Sequence, residues 1–181
     1  MTKALTRLGE LLKKEEIRLE MTCCGGIISL LYFKSRMMTQ DVDVIFPDDP
    51  DDKNLLIQLI KQVGLEQNLS VNYKSLWFND SVSFFGLKTR SENVIFKHPF
   101  LVLKAASWEE LLAHKIHAFR HDKDIQDAVL LLKEMITTDE DQISIDKDRV
   151  YNKLEGYFPI SPDVPEYLLK KRFDTIWKLT N

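Results

Sequence analysis

The sequence predicts an α/β protein of the α+β kind, a mixed β-sheet flanked by helices and followed by a helical C-terminal extension. Three observations predict it. Helix-like and strand-like periodicities follow one another from residue 3 to residue 104. A Val-rich run at residues 41 to 46 carries aspartates at alternate positions. Beyond residue 107 the apolar positions recur at helical spacing alone. With 181 residues the chain is long enough for a proper core. The division expected is a first domain over residues 1 to 135 and an extension over residues 136 to 181.

Each element has its own signal. Leu5, Leu8 and Leu12 behind Thr2 predict an amphipathic helix over residues 3 to 15. Residues 17 to 22 alternate apolar and polar, a strand leading into Gly25 and Gly26. Residues 27 to 33 are apolar on nearly every side, which fits a short buried helix. Residues 41 to 46 read as a buried strand closed by Pro47 and an acidic cluster. Leu55, Leu56, Leu59, Ile60 and Val63 then predict a helix capped by Asp51 or Asp52 and ended by Gly64. Strand-like runs cover residues 71 to 78, 82 to 87 and 94 to 103, with Asn79 and Asp80 as a hairpin turn. Ser107 with Glu110 forms a capping box for a helix through Phe119. Asp122 caps the next helix, residues 137 to 149 read as an exposed loop, and Pro165 opens a last helix bearing Leu168, Leu169, Phe173, Ile176 and Trp177.

The two acids in the apolar strand need a physical account. Residues two apart on a strand share a face, so Asp41 and Asp43 project side by side at about 6.6 to 7 Å while Val42 and Val44 face the core. Such carboxylates repel and lose hydration, and a divalent cation answers both costs. Carboxylates are hard oxygen ligands suited to Mg²⁺ or Mn²⁺, which completes its shell with water and phosphate oxygens. Gly25 and Gly26, between a strand and a helix, let an anion approach the backbone closely. Together the two features suggest a nucleoside triphosphate and phosphoryl or nucleotidyl transfer. The bland alternative is a turn glycine pair and a strand edge exposed to water.

The run Gly25, Gly26, a short helix, Arg36, Thr39 and then Asp41, Val42, Asp43, Val44 resembles the signature of the DNA polymerase β-like nucleotidyltransferase superfamily. It is most similar to the minimal branch that includes the abortive-infection toxin-type nucleotidyltransferases. A second block, Lys115, Ala118, Arg120, Lys123, Asp124 and Asp127, is similar to that branch's later motif. The resemblance covers roughly residues 17 to 135 and implies the nucleotidyltransferase fold. It further implies that Gly25 and Gly26 hold the triphosphate, with Arg36, Thr39 and Arg120 in the nucleotide site, that Asp41 and Asp43 coordinate divalent metal, and that Lys115 neutralises phosphates. The family's third catalytic acid has Asp80 as its candidate here and Glu92 as the next. One extra residue separates Arg36 from Thr39 relative to the family's pattern.

Other residues have competing readings. His114, His117 and His121 fall near one helix face, a spacing open to zinc or to a plain polar face. Cys23 and Cys24 are adjacent and read as buried, reduced thiols. A net charge of -3 gives no global reason to bind nucleic acid. The acceptor therefore stays open among an RNA end, a protein hydroxyl and a small molecule. No signal leader opens the chain and no apolar run reaches bilayer length, so a cytoplasmic protein without membrane contact is expected. The C-terminal helices offer a surface for a protein partner. A catalytically inactive nucleotide- or protein-binding module, regulatory or part of a toxin-antitoxin pair, is the alternative reading.

Overall fold

A computed structural model describes residues 1 to 72, 75 to 85, 87, 89 to 138, 146 to 159 and 161 to 180. The fold is mixed α/β, as the alternation of periodicities predicts. Elements follow in the order α1 (Thr2–Lys14), β1 (Leu19–Cys24), α2 (Gly26–Leu31), β2 (Val42–Val44), α3 (Pro50–Gln67), β3 (Phe78–Asn79), a 3₁₀ turn (Ser81–Phe85), β4 (Val94–His98), β5 (Leu101–Ala105), α4 (Trp108–Ala118), α5 (Asp122–Thr138), α6 (Lys147–Glu155) and α7 (Glu166–Thr180). The chain divides into two compact units, Met1–Ala106 and Ser107–Asn181. Residue 135, where the sequence reading divides the chain, lies inside α5.

The first unit is built on an open five-stranded sheet in the order β3-β2-β1-β5-β4. β1 pairs antiparallel with β2 and parallel with β5. β2 pairs parallel with β3, and β4 antiparallel with β5. Side chains alternate across a strand, so the register sorts them by face. Cys23, Val44, Val42 and Phe78 share one face with Leu101 and Leu103, and all of these are buried. The other face carries Glu20, Thr22, Cys24, Asp43, Asn79 and Lys104. α1 packs against α3 through wholly buried leucines, including Leu5, Leu8, Leu56 and Ile60 beside them.

Several expectations shift by local chemistry. Asp49, rather than Asp51 or Asp52, caps α3, accepting from the backbone N–H of both, with Pro50 in the first turn. Gly64 does not end that helix. It makes room for Val71 and for Trp77, whose Nε1 donates to the Ile60 carbonyl at 2.8 Å, and the helix ends at Asn68 in the left-handed conformation. The run 71 to 78, of which residues 73 and 74 lie outside the described residues, supplies only the two-residue β3. In place of a hairpin at Asn79 and Asp80, Asn79 Oδ1 accepts from Ser81 N–H and Ser83 Oγ donates to the Asp80 carbonyl, which winds the chain into the 3₁₀ turn. Residue 86, within the expected strand 82 to 87, lies outside the described residues. The last run splits at Pro99 and Phe100 into the hairpin β4 and β5.

The second unit packs α4 to α7 on one another. Ser107 caps α4 by accepting from Glu110 N–H, at the position the capping box predicts. Residues 139 to 145 of the expected loop lie outside the described residues, and its end is already helical, since α6 begins at Lys147 under an Asp146 cap. The Arg172 guanidinium from α7 donates to the carbonyls of Ile116 and His117 at the end of α4. It also lies over the Phe119 ring, 5.4 Å from its centroid. Among the described residues no helix is long and apolar enough to cross a membrane.

Candidate functional site

The glycine pair sits where β1 turns into α2. Gly25 has φ +74° and ψ -152°, a backbone state open essentially to glycine alone. The space above each glycine is taken by a side chain distant in sequence. A Cβ on Gly25 would stand 2.5 Å from Asp43 Oδ2. A Cβ on Gly26 would stand 2.6 Å from Thr39 Oγ1 and 3.3 Å from Arg36 Nη1. Gly25, Gly26, Arg36, Thr39 and Asp43 are therefore one constellation, assembled by β1, the loop after α2, and β2.

β2 holds Asp43 in place by simple alternation. Val42 and Val44 are fully buried on the core face, and Asp43 is half-buried on the other, opposite Cys24 and Asn79. Asp41 precedes the strand, half-buried, and its carbonyl accepts from Thr39 Oγ1 at 3.2 Å. Cys23, at the end of β1, is buried and its thiol is pushed well above its ordinary value, first by that burial and then by the Asp43 charge. Both cysteines are free thiols, and Cys23 stays protonated and inert as a nucleophile.

The third-acid candidates make contacts of their own. Asp80 Oδ1 accepts from Phe46 N–H at 3.3 Å, and its Oδ2 pairs with Lys53 Nζ at 3.4 Å. Its carboxylate ties the end of β2 to α3. Glu92 pairs with Lys104 Nζ at 2.7 Å, and Lys104 also reaches Glu20 at 3.3 Å, itself bound to Arg90 at 2.8 Å. Lys104 draws the Glu92 carboxyl below its ordinary value. Sequence reading did not connect Glu20 with Lys104, although charged residues at outward positions of two apolar strands were the available signal.

Lys115 and Arg120 belong to the second unit. Lys115 Nζ lies 2.9 Å from Asp124 and 2.8 Å from Asp127, both buried. Arg120 donates its backbone N–H and its Nε to Asp124. Burial alone would raise the Asp124 carboxyl, but the hydrogen bonds and charges of Lys115 and then Arg120 together outweigh it and leave the group below its ordinary value. His114 and His117 lie on α4, and burial lowers both. Among the described residues no three or more His, Cys, Asp or Glu side chains are grouped to hold a metal ion, the three histidines included.

The donor set in the first unit suits hard-cation chemistry. The Asp43 carboxylate, the Thr39 hydroxyl and the Arg36 guanidinium stand against backbone that carries no side chain, with Asp41 two residues before Asp43. Asp41 and Asp43 are oxygen ligands of the kind Mg²⁺ or Mn²⁺ takes, leaving positions for water and phosphate oxygens. The space above Gly25 is bounded by Asp43 itself, so an anion at the glycines and a cation at that carboxylate would be neighbours. No protein-family model, curated protein or solved structure matches the chain.

Proposed function

We propose that the chain is a metal-dependent nucleotidyltransferase. It takes a nucleoside triphosphate at Gly25, Gly26, Arg36 and Thr39, with divalent metal at Asp41 and Asp43, and passes the nucleoside monophosphate to a hydroxyl acceptor. The observation that carries the reading is the convergence on the two glycines. Residues 10 to 18 positions later in the chain place a guanidinium, a hydroxyl and a carboxylate against backbone that only glycine can supply.

The roles follow from chemistry. Arg36 offers a planar, permanently charged fork to phosphate oxygens, and Thr39 a hydroxyl donor. Asp41 and Asp43 hold Mg²⁺ or Mn²⁺, which when bound neutralises charge on the triphosphate and the departing pyrophosphate. The sequence motifs and the resemblance to minimal nucleotidyltransferases support the same assignment.

A second reading rests on a specific observation. Asp80 is engaged by Phe46 N–H and Lys53, and Glu92 by Lys104. With both acids committed to structural contacts, a nucleotide-binding module without turnover is the alternative, working as a regulatory or toxin-antitoxin component.

Calorimetric titration of each of the four nucleoside triphosphates, with Mg²⁺ or Mn²⁺, tests the site. The wild type is expected to bind in a metal-dependent manner and the Asp41→Asn, Asp43→Asn double variant to lose that binding, with thermal stability unchanged or raised. Equal binding by both proteins would overturn the assignment. Incubation of α-labelled nucleotide with RNA, protein and small hydroxyl acceptors then separates transfer from binding alone.

A further inference from the structure

The loop between α2 and β2 holds two side chains that the site above leaves unused. Met37 is 100% exposed and Met38 75% exposed, consecutive in sequence. Single exposed apolar residues are ordinary on protein surfaces, but these two form a pair. Their neighbours on either side are fixed to the site: Arg36 lies over Gly26 from one flank and Thr39 from the other. The loop therefore presents both thioethers from a segment anchored at each end on the glycine constellation. Consecutive Cα atoms stand about 3.8 Å apart, so the pair begins one residue from the groups assigned to phosphate.

We propose that Met37 and Met38 are the platform for the base of the nucleoside triphosphate. The inference rests on the triphosphate reading above and deepens it. A triphosphate held at Gly25 and Gly26 has one aromatic part, its base, with polar edges and weakly polar ring faces. Thioether sulfur is polarisable and makes favourable contacts with aromatic rings, and the unbranched methionine chain adapts to rings of different outline. Neither side chain carries a strong hydrogen-bond donor or acceptor to read a base edge. The platform consequently recognises an aromatic plane, favours the larger purine ring, and discriminates weakly between bases of equal size.

The test separates base from phosphate. Wild type and the Met37→Ser, Met38→Ser variant are titrated, with Mn²⁺ present, with ATP and with inorganic tripolyphosphate, which has no base. The expected result is ATP affinity weakened about tenfold in the variant and tripolyphosphate affinity unchanged. ATP affinity equal in the two proteins would overturn the platform and leave the triphosphate reading standing. Equal weakening of both ligands would also overturn it, marking a disturbed loop. If the wild type binds neither ligand, the triphosphate reading fails and the platform with it.

Discussion

Two pairs of aspartates in this chain are solved by opposite means. Asp124 and Asp127 sit one turn apart on α5, both buried, and Lys115 from α4 reaches each of them at under 3 Å. Asp41 and Asp43 sit two apart at β2, half-buried, and Asp43 lies against the bare backbone of Gly25. The helical pair has its cation built into the unit. In the strand pair, Asp43 fills the place that a side chain on Gly25 would take. Burying carboxylates around a lysine makes architecture, because removing either sign leaves a charge stranded. Placing a carboxylate against glycine brings it onto bare backbone, because only glycine tolerates both the backbone geometry and the close approach.

The largest effect that would break this contrast is at Lys115. Lys115→Met strands two buried carboxylates, and the expected cost is about 3 to 5 kcal/mol of folding stability. Urea unfolding of the full chain measures it. If stability holds while metal-dependent triphosphate binding is lost, Lys115 serves the nucleotide, as the family resemblance implies, and the two clusters are no longer opposites.

A mutation at the other pole sharpens the contrast. Gly25→Ala puts a methyl group 2.5 Å from Asp43 Oδ2 at a φ of +74°. The expected result is loss of triphosphate binding together with a stability cost of about 1 to 3 kcal/mol. Gly26→Ala meets the Thr39 hydroxyl and the tip of Arg36, ends of side chains that can move, so its stability cost is smaller. Calorimetry and thermal unfolding on both variants order the two positions. A well-folded Gly25→Ala protein with unchanged binding would show that the close approach has no functional use.

How much of this was legible in the sequence follows from how local each cause is. Alternation around Asp43 and the leucine spacing of α1 are local patterns, and both hold in the structure. The amphipathic face of α7 was legible for the same reason. The contacts of Asp80 were not, because they join it to the N–H of Phe46, 34 residues earlier, and to Lys53. The strand expected after Val82 failed because Asn79 and Ser83 side chains compete for backbone hydrogen bonds. α6 was invisible to apolar periodicity, having only Val150, Tyr151 and Leu154 buried among charged residues. Its Asp146 cap, accepting from Asp148 N–H, was the usable signal.

The smallest predicted effect concerns acid, and it asks whether the second unit's polar contacts are truly internal. His114 is lowered from 6.5 by burial, against the pull of Glu110, and His117 by burial and then by Arg172. Their unfolded forms take up protons first as pH falls through 6.5, so the unfolded chain binds more protons there and stability declines on acidification. Asp124 titrates below its ordinary 3.8 in the folded state. Its contribution is complete above that value and is lost only as pH falls further, through its folded value. Acid should therefore weaken the protein in two windows, one opening near 6.5 and one below about 4. Urea midpoints measured from pH 7.5 downward should show the upper decline in the wild type and a flatter curve in a His114→Gln, His117→Gln variant. An upper decline of equal slope in that variant would assign it to other groups, and the histidines on α4 would lose their place in the internal polar set of the second unit.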